Sequence, residues 1–95
     1  MAFTFEWDPR KAATNAAKHG VTFDEALTAF LDPLGRLRED SRHSVGEERL
    51  VLLGRSSDDR LLVVMFTDRG AERLRLISAR LATRAERMNY EESSE

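Results

Sequence analysis

The chain has 95 residues, 41% apolar and 34% charged, with a net charge of −2 and no cysteine. That length makes one domain with a modest core, and the missing cysteine removes disulfides and thiolate–metal sites, so a reducing, cytoplasmic setting is expected. The longest apolar run, LLVVMF, is too short to span a membrane, MAFTFEWDPRK lacks the apolar stretch of a signal peptide, and the negative net charge argues against indiscriminate nucleic-acid binding.

FTFEW puts Phe3, Phe5 and Trp7 on one face at period two and reads as a strand. Asp8 and Pro9 then start a helix, Asp8 as cap and Pro9 in the first turn. Its sequence, RKAATNAAK, carries a small-residue stripe of Ala12, Ala13, Ala16 and Ala17 suited to close packing. Gly20 ends it in the left-handed conformation. Thr22 and Glu25 form a capping box for a second helix, with Val21 and Ala26 as a weak hydrophobic staple. Phe23, Ala26, Leu27, Phe30 and Leu31 give that helix one buried face, and it ends near Asp32-Pro33. A short strand is expected near Gly35 to Arg38, because a long structureless loop is uncommon in a small domain.

Three strands follow: Arg49 to Gly54, Leu61 to Thr67 and Glu72 to Arg80. The short connections SSDD and DRG make them an antiparallel meander. LLVVMF, apolar on both faces, should be its central strand. The third strand alternates from Arg73 to Leu76 and loses its pattern at Ile77. Thr83 and Glu86 make a second capping box and open a final helix, TRAERMNYEE. The expected fold is α+β, a small twisted antiparallel sheet with helices packed on it. Residues 1–92 form the single domain and 93–95 a frayed tail.

Charge is unevenly spread. From Asp68 to Arg87 there are six arginines against three acids, whereas Glu39 to Arg49 holds four acids and two arginines. Arginine offers a planar fork suited to phosphate, although a biased composition would give the same excess. Lys18 and His19 lie in the last turn of the first helix, where cations complement the negative end of the helix dipole. Histidine is also the natural acid–base group at neutral pH, and the tight Gly-Val-Thr junction would hold its ring in place. Arg80 ends the last strand; Arg84 and Arg87 follow at i, i+3 and point one way. With Arg73 and Arg75 they could line a basic surface or simply a solvated face. His43, Glu47, Glu48 and Arg49 form a further polar cluster, either an acid–base group with an orienting partner or an exposed loop. Nothing matches a zinc spacing, a P-loop or a nucleophile elbow.

FEWDPRKAATNAAKHGVTFDEA, HSVGEERLVLLGRS, LLVVMFTDRG and RLRLISARLATRAERMNYE, taken in that order, resemble the BrnT family, toxins of type II toxin–antitoxin systems. The resemblance runs from Phe5 to about Glu91, and Arg10 in WDPRKA is a local departure from the usual pattern. It implies a RelE-like ribonuclease fold and a metal-independent endoribonuclease, with no cofactor, that cleaves RNA and arrests growth. It also implies a ribbon-helix-helix antitoxin as partner, with operator DNA reached only through that antitoxin. The matching positions are Lys18 and His19 in KHG, Arg80 in ISAR, and Arg84, Glu86 and Arg87 in TRAER, with Tyr90 at an aromatic position. His43, Glu47, Glu48 and Arg49 match one common version of the family. The resemblance makes Lys18, His19 and Arg80 the catalytic candidates, with Glu86 or Glu48 as a base. Arg75, Arg84, Arg87, Arg49 and His43 become candidates for holding RNA. The other reading is a non-catalytic antitoxin- or RNA-binding module that acts as a corepressor. His19 and the clustered arginines favour the enzyme, since a scaffold has no need of them.

Overall fold

Local capping chemistry sets the first two helices. The computed structural model describes residues 3–40 and 48–93. Strand β1 (Thr4–Glu6) leads into helix α1 (Pro9–His19), whose first turn is capped by Asp8: its carboxylate accepts the Arg10 N–H at 2.8 Å. Gly20, at φ 68°, ends the helix and donates its N–H to the Ala16 carbonyl. Thr22 caps helix α2 (Phe23–Ala29) by accepting the Glu25 N–H at 3.0 Å. The expected reciprocal half of that box is replaced: the Glu25 carboxylate turns instead to Ser56 and Arg60.

The remaining elements are β2 (Arg36–Glu39), β3 (Arg49–Arg55), β4 (Leu61–Asp68), β5 (Arg73–Leu81) and α3 (Arg84–Ser93). They form a five-stranded sheet in the order β1-β5-β4-β3-β2, with β4 central as its two-faced apolar sequence requires. The pairs β2–β3, β3–β4 and β4–β5 are antiparallel, which confirms the meander. β1 differs from expectation. It pairs with β5 in parallel, Thr4 opposite Arg73 and Glu6 opposite Arg75, so the sheet is mixed at that edge. Alternation in FTFEW specifies which side chains face the core and carries no information on strand direction. The break in pattern at Ile77 corresponds to a register shift between Met65 and Phe66, which face Ser78 and Leu76 and leave Ile77 as the extra residue.

One face of the sheet carries the core. Leu52, Leu62, Val64, Phe66, Leu74, Leu76 and Ala79 meet Val21, Phe23, Ala26 and Ala29 from α2 and its approach. Each fully buried aliphatic or phenyl side chain contributes about 1.5–3 kcal/mol. Phe5, Phe30 and Phe66 make successive ring contacts at 5.0 Å, and Trp7 meets Phe23 edge-on at 5.7 Å. A side chain at Gly54 would come within 2.8 Å of the Ala29 carbonyl, so α2 is seated directly on β3 there. The opposite face follows from the register: Val51, Leu53, Val63, Met65 and Thr67 alternate with the core positions. Arg36, Arg38, Arg49, Arg75 and Arg80 are paired in register with them. Among the described residues no helix is long and apolar enough to cross a membrane.

Candidate active site

Asn15 sits within the alanine-rich α1 yet is only 6% exposed. Its Oδ1 accepts the Ala79 N–H at 3.0 Å, and its Nδ2 donates to the carbonyls of Ala79 at 2.8 Å and Val21 at 3.0 Å. β1 ends opposite Arg75, so the outer edge of β5 runs on past its strand neighbour. The Asn15 amide satisfies that edge at Ala79 as a strand would. The face of α1 turned to the sheet is Ala12, Asn15, Ala16 and His19, at i, i+3, i+4 and i+7, while Ala13 and Ala17 are exposed. The alanine stripe is therefore half buried, and its centre is an amide. No sequence signal marked Asn15, because a polar residue in such a helix reads as solvated.

This arrangement fixes the end of α1. Lys18 and His19 line a shallow groove of about 320 Å³ between α1 and β5, together with Arg10, Lys11, Ile77 and Ser78. From the other side, Arg60 Nη2 donates to the Gly20 carbonyl at 3.0 Å. Arg60 is held in turn by Glu25, with Nε 2.9 Å from Oε2 and a second close contact from Nη2 to Oε1. Ser56 Oγ donates to the same carboxylate at 2.8 Å. The Arg60 hydrogen bonds hold Glu25 below the usual carboxylate range against the opposing effect of burial. The turn that carries Lys18 and His19 is thus clamped by Asn15 on one side and Arg60 on the other.

Arg80 stands on the sheet face away from the core, in register with Val63. Its guanidinium makes a bidentate pair with Glu86, at 2.8 and 2.9 Å. Glu86 also completes the capping box of α3: its Oε1 accepts the Thr83 N–H at 2.8 Å, and its own N–H donates to Thr83 Oγ1 at 3.2 Å. The Arg80 hydrogen bonds lower the Glu86 pKa to about 2, against burial. Such a carboxylate is ionised with its oxygens occupied. Its geometry suits an orienting group for Arg80.

Arg80 is not among the residues lining the His19 groove. The two are linked through Ser78, which lines that groove and lies on the Arg80 face of β5. Alternate residues of a strand are roughly 7 Å apart. Arg75 Nη1 is 2.9 Å from Glu6 Oε2 and shares a cross-strand row with Thr67 and Arg49. Arg84 and Arg87 are exposed on α3, and Glu48 is exposed just ahead of β3. His43 and Glu47 lie outside the described residues. Tyr90, 5% exposed, is an anchor for α3: its hydroxyl donates to Asp32 Oδ2 at 2.6 Å, and Arg55 lies over its ring at 5.5 Å. Burial works to raise the Asp32 pKa, but hydrogen bonds from Tyr90 and from the Arg55 and Leu34 amides leave it lowered. Among the described residues no three histidine or acidic side chains gather in a way that could hold a metal ion.

Comparison with known proteins agrees with this architecture. Residues 7–86 match the family model described as "Ribonuclease toxin, BrnT, of type II toxin-antitoxin system". The fold is similar to the crystal structure of the Brucella abortus ribonuclease toxin, BrnT, with a TM-score of 0.69 and 28% identity, covering 87% of this chain and 100% of that one. No curated protein sequence matches.

Proposed function

The chain belongs to the BrnT family of ribonuclease toxins of type II toxin–antitoxin systems, and from that premise we propose a metal-independent endoribonuclease that acts in the cytoplasm, arrests growth and is neutralised by a ribbon-helix-helix antitoxin. The observation that carries the catalytic reading is the clamped turn holding Lys18 and His19 beside Ser78, on the strand whose next outward residue is Arg80. Metal-free cleavage of RNA proceeds by attack of the ribose 2′-hydroxyl on the adjacent phosphorus, with release of the 5′-oxygen. It needs a group to take the first proton, a group to supply the second, and cations on the phosphate. His19 is the acid–base group, contributing roughly 10²–10⁴-fold. Lys18 and Arg80 stabilise the charge that develops on the phosphate oxygens. Glu86 fixes the Arg80 guanidinium. The exposed Arg84 and Arg87, with Arg75 and Arg49, carry the RNA chain across the open sheet face, and Glu48 borders it.

His19→Ala and Arg80→Ala test this reading. Each should abolish cleavage of a defined RNA and growth arrest on expression without antitoxin. His19→Ala should change the melting temperature little, because that side chain is partly exposed, whereas Arg80→Ala also loses the Glu86 pair and should cost about 1–2 kcal/mol while the protein stays folded. Full activity with a small thermal shift in His19→Ala would reduce the Lys18–His19 pair to a helix cap.

A further inference from the structure

A second hollow, of about 440 Å³, lies on the face of the sheet away from the core, between β2 and α3. That is within the range of small-ligand sites, roughly 300–1,000 Å³. Its floor is aliphatic, made by Val51, Leu53 and Val63, with Val51 and Val63 only 3% exposed beneath the walls. Arg36 and Arg38 form one wall, Glu86 and Asn89 the other. Arg36 Nη1 donates across the hollow to Asn89 Oδ1, tying the walls together. Arg38 stands opposite Val51 in register and makes no ion pair among the described residues. Arg80 is the register partner of Val63, so the phosphate-binding candidate borders this floor.

We propose that this hollow is a base-recognition subsite that accepts guanine from a nucleotide next to the scissile phosphate, its ring on the Val51–Leu53–Val63 floor and its edge read by Arg38. The proposal rests on the ribonuclease reading and deepens it by naming a subsite and a base. The floor complements the face of an unstacked base, the form in which single-stranded RNA is recognised. Polarity then selects among bases. Glu86 spends its oxygens on Arg80 and the Thr83 amide, and Asn89 Oδ1 accepts from Arg36, so the walls offer mainly donors, with Arg36 and Arg38 having no acceptor at all. Guanine presents two acceptors, O6 and N7, on one edge; adenine and cytosine place an amino donor there, and uracil a single acceptor. The surrounding cations, Arg36, Arg38 and Arg80, favour a polyanion over a neutral peptide.

Titration of the isotopically labelled protein with each of the four ribonucleoside 5′-monophosphates tests the subsite. These compounds have no internucleotide bond to cut, so the result is read separately from catalysis. Guanosine monophosphate should shift the methyl resonances of Val51, Leu53 and Val63 and leave Leu62 and Val64, on the core face, in place. The other three should bind roughly tenfold or more weakly, and Arg38→Ala should erase that preference while the Leu62 and Val64 signals report an intact fold. Equal shifts from all four nucleotides, or from inorganic phosphate alone, would overturn the proposal. So would a hollow whose methyls stay still with every nucleotide and move only when a protein partner binds.

Discussion

Glu86→Gln separates an orienting carboxylate from a catalytic base. Glutamine keeps the shape and can still complete the Thr83 capping box, but it loses the charge that pairs with Arg80. The drop from the ordinary value of 4.5 to about 2 corresponds to about 3.4 kcal/mol. That figure is an upper bound, because the Arg80 side chain is 40% exposed and solvent screens the pair; about 1–2 kcal/mol remains. A carboxylate whose folded pKa is lowered stabilises the fold above its unfolded value, and the contribution fades as pH falls through the folded one. Urea unfolding should therefore show Glu86→Gln less stable than the parent by about 1–2 kcal/mol at pH 7, with the gap closing between about pH 4.5 and pH 2. Glu25 and Asp32, whose pKa values are also lowered, are present in both proteins and cancel in the difference. An orienting role further requires cleavage by Glu86→Gln to be reduced yet measurable, with the acid limb of its pH profile unmoved. A gap of the same size at pH 7 and pH 2, or loss of all cleavage together with that acid limb, refutes the reasoning.

Asn15→Ala leaves the amide and carbonyl of Ala79 and the carbonyl of Val21 without their partner; it should cost about 3 kcal/mol or more, read by urea unfolding, and speed hydrogen exchange at the Ala79 amide. Tyr90→Phe removes the hydrogen bond to Asp32 and should cost about 1–2 kcal/mol, with faster exchange along α3 while the β4 amides stay protected. Antitoxin association should weaken as salt rises, and charge reversal at Arg75, Arg84 and Arg87 together should weaken it further; affinity indifferent to both places the antitoxin elsewhere.

Elements set by neighbouring residues were legible in the sequence. Asp8-Pro9, Gly20, Thr22 and the Thr83–Glu86 box each act over four residues or fewer, and each stands where the pattern puts it. The central place of β4 follows equally from its two apolar faces. What the sequence hid are partnerships between distant residues. Glu25 reads as half of a capping box, yet its carboxylate belongs to Arg60, 35 positions away. Asn15 meets Ala79 across 64 positions, and Tyr90 meets Asp32 across 58. Glu86 was legible as a cap, but its pairing with Arg80 six positions back was not: periodicity tells which face a side chain occupies and not which charge it will find there. The direction of β1 belongs to this class too, since its partner is the last strand of the chain.

The pairing of β1 with β5 has a consequence for how the protein comes into being on the ribosome. Its partners are 69 positions apart, so the first strand made must wait for almost the whole chain before it finds its neighbour. Contacts of such separation form late, because the closure entropy of the intervening loop has to be met first. The Asn15–Ala79 bonds, which position the His19 turn, span nearly the same distance. A nascent chain that ends before β5 therefore carries Lys18 and His19 with no strand beside them, and without Arg80. On the proposed reading, a chain interrupted before β5 lacks the anchored His19 turn and Arg80, so the complete site can form only after β5 has been made.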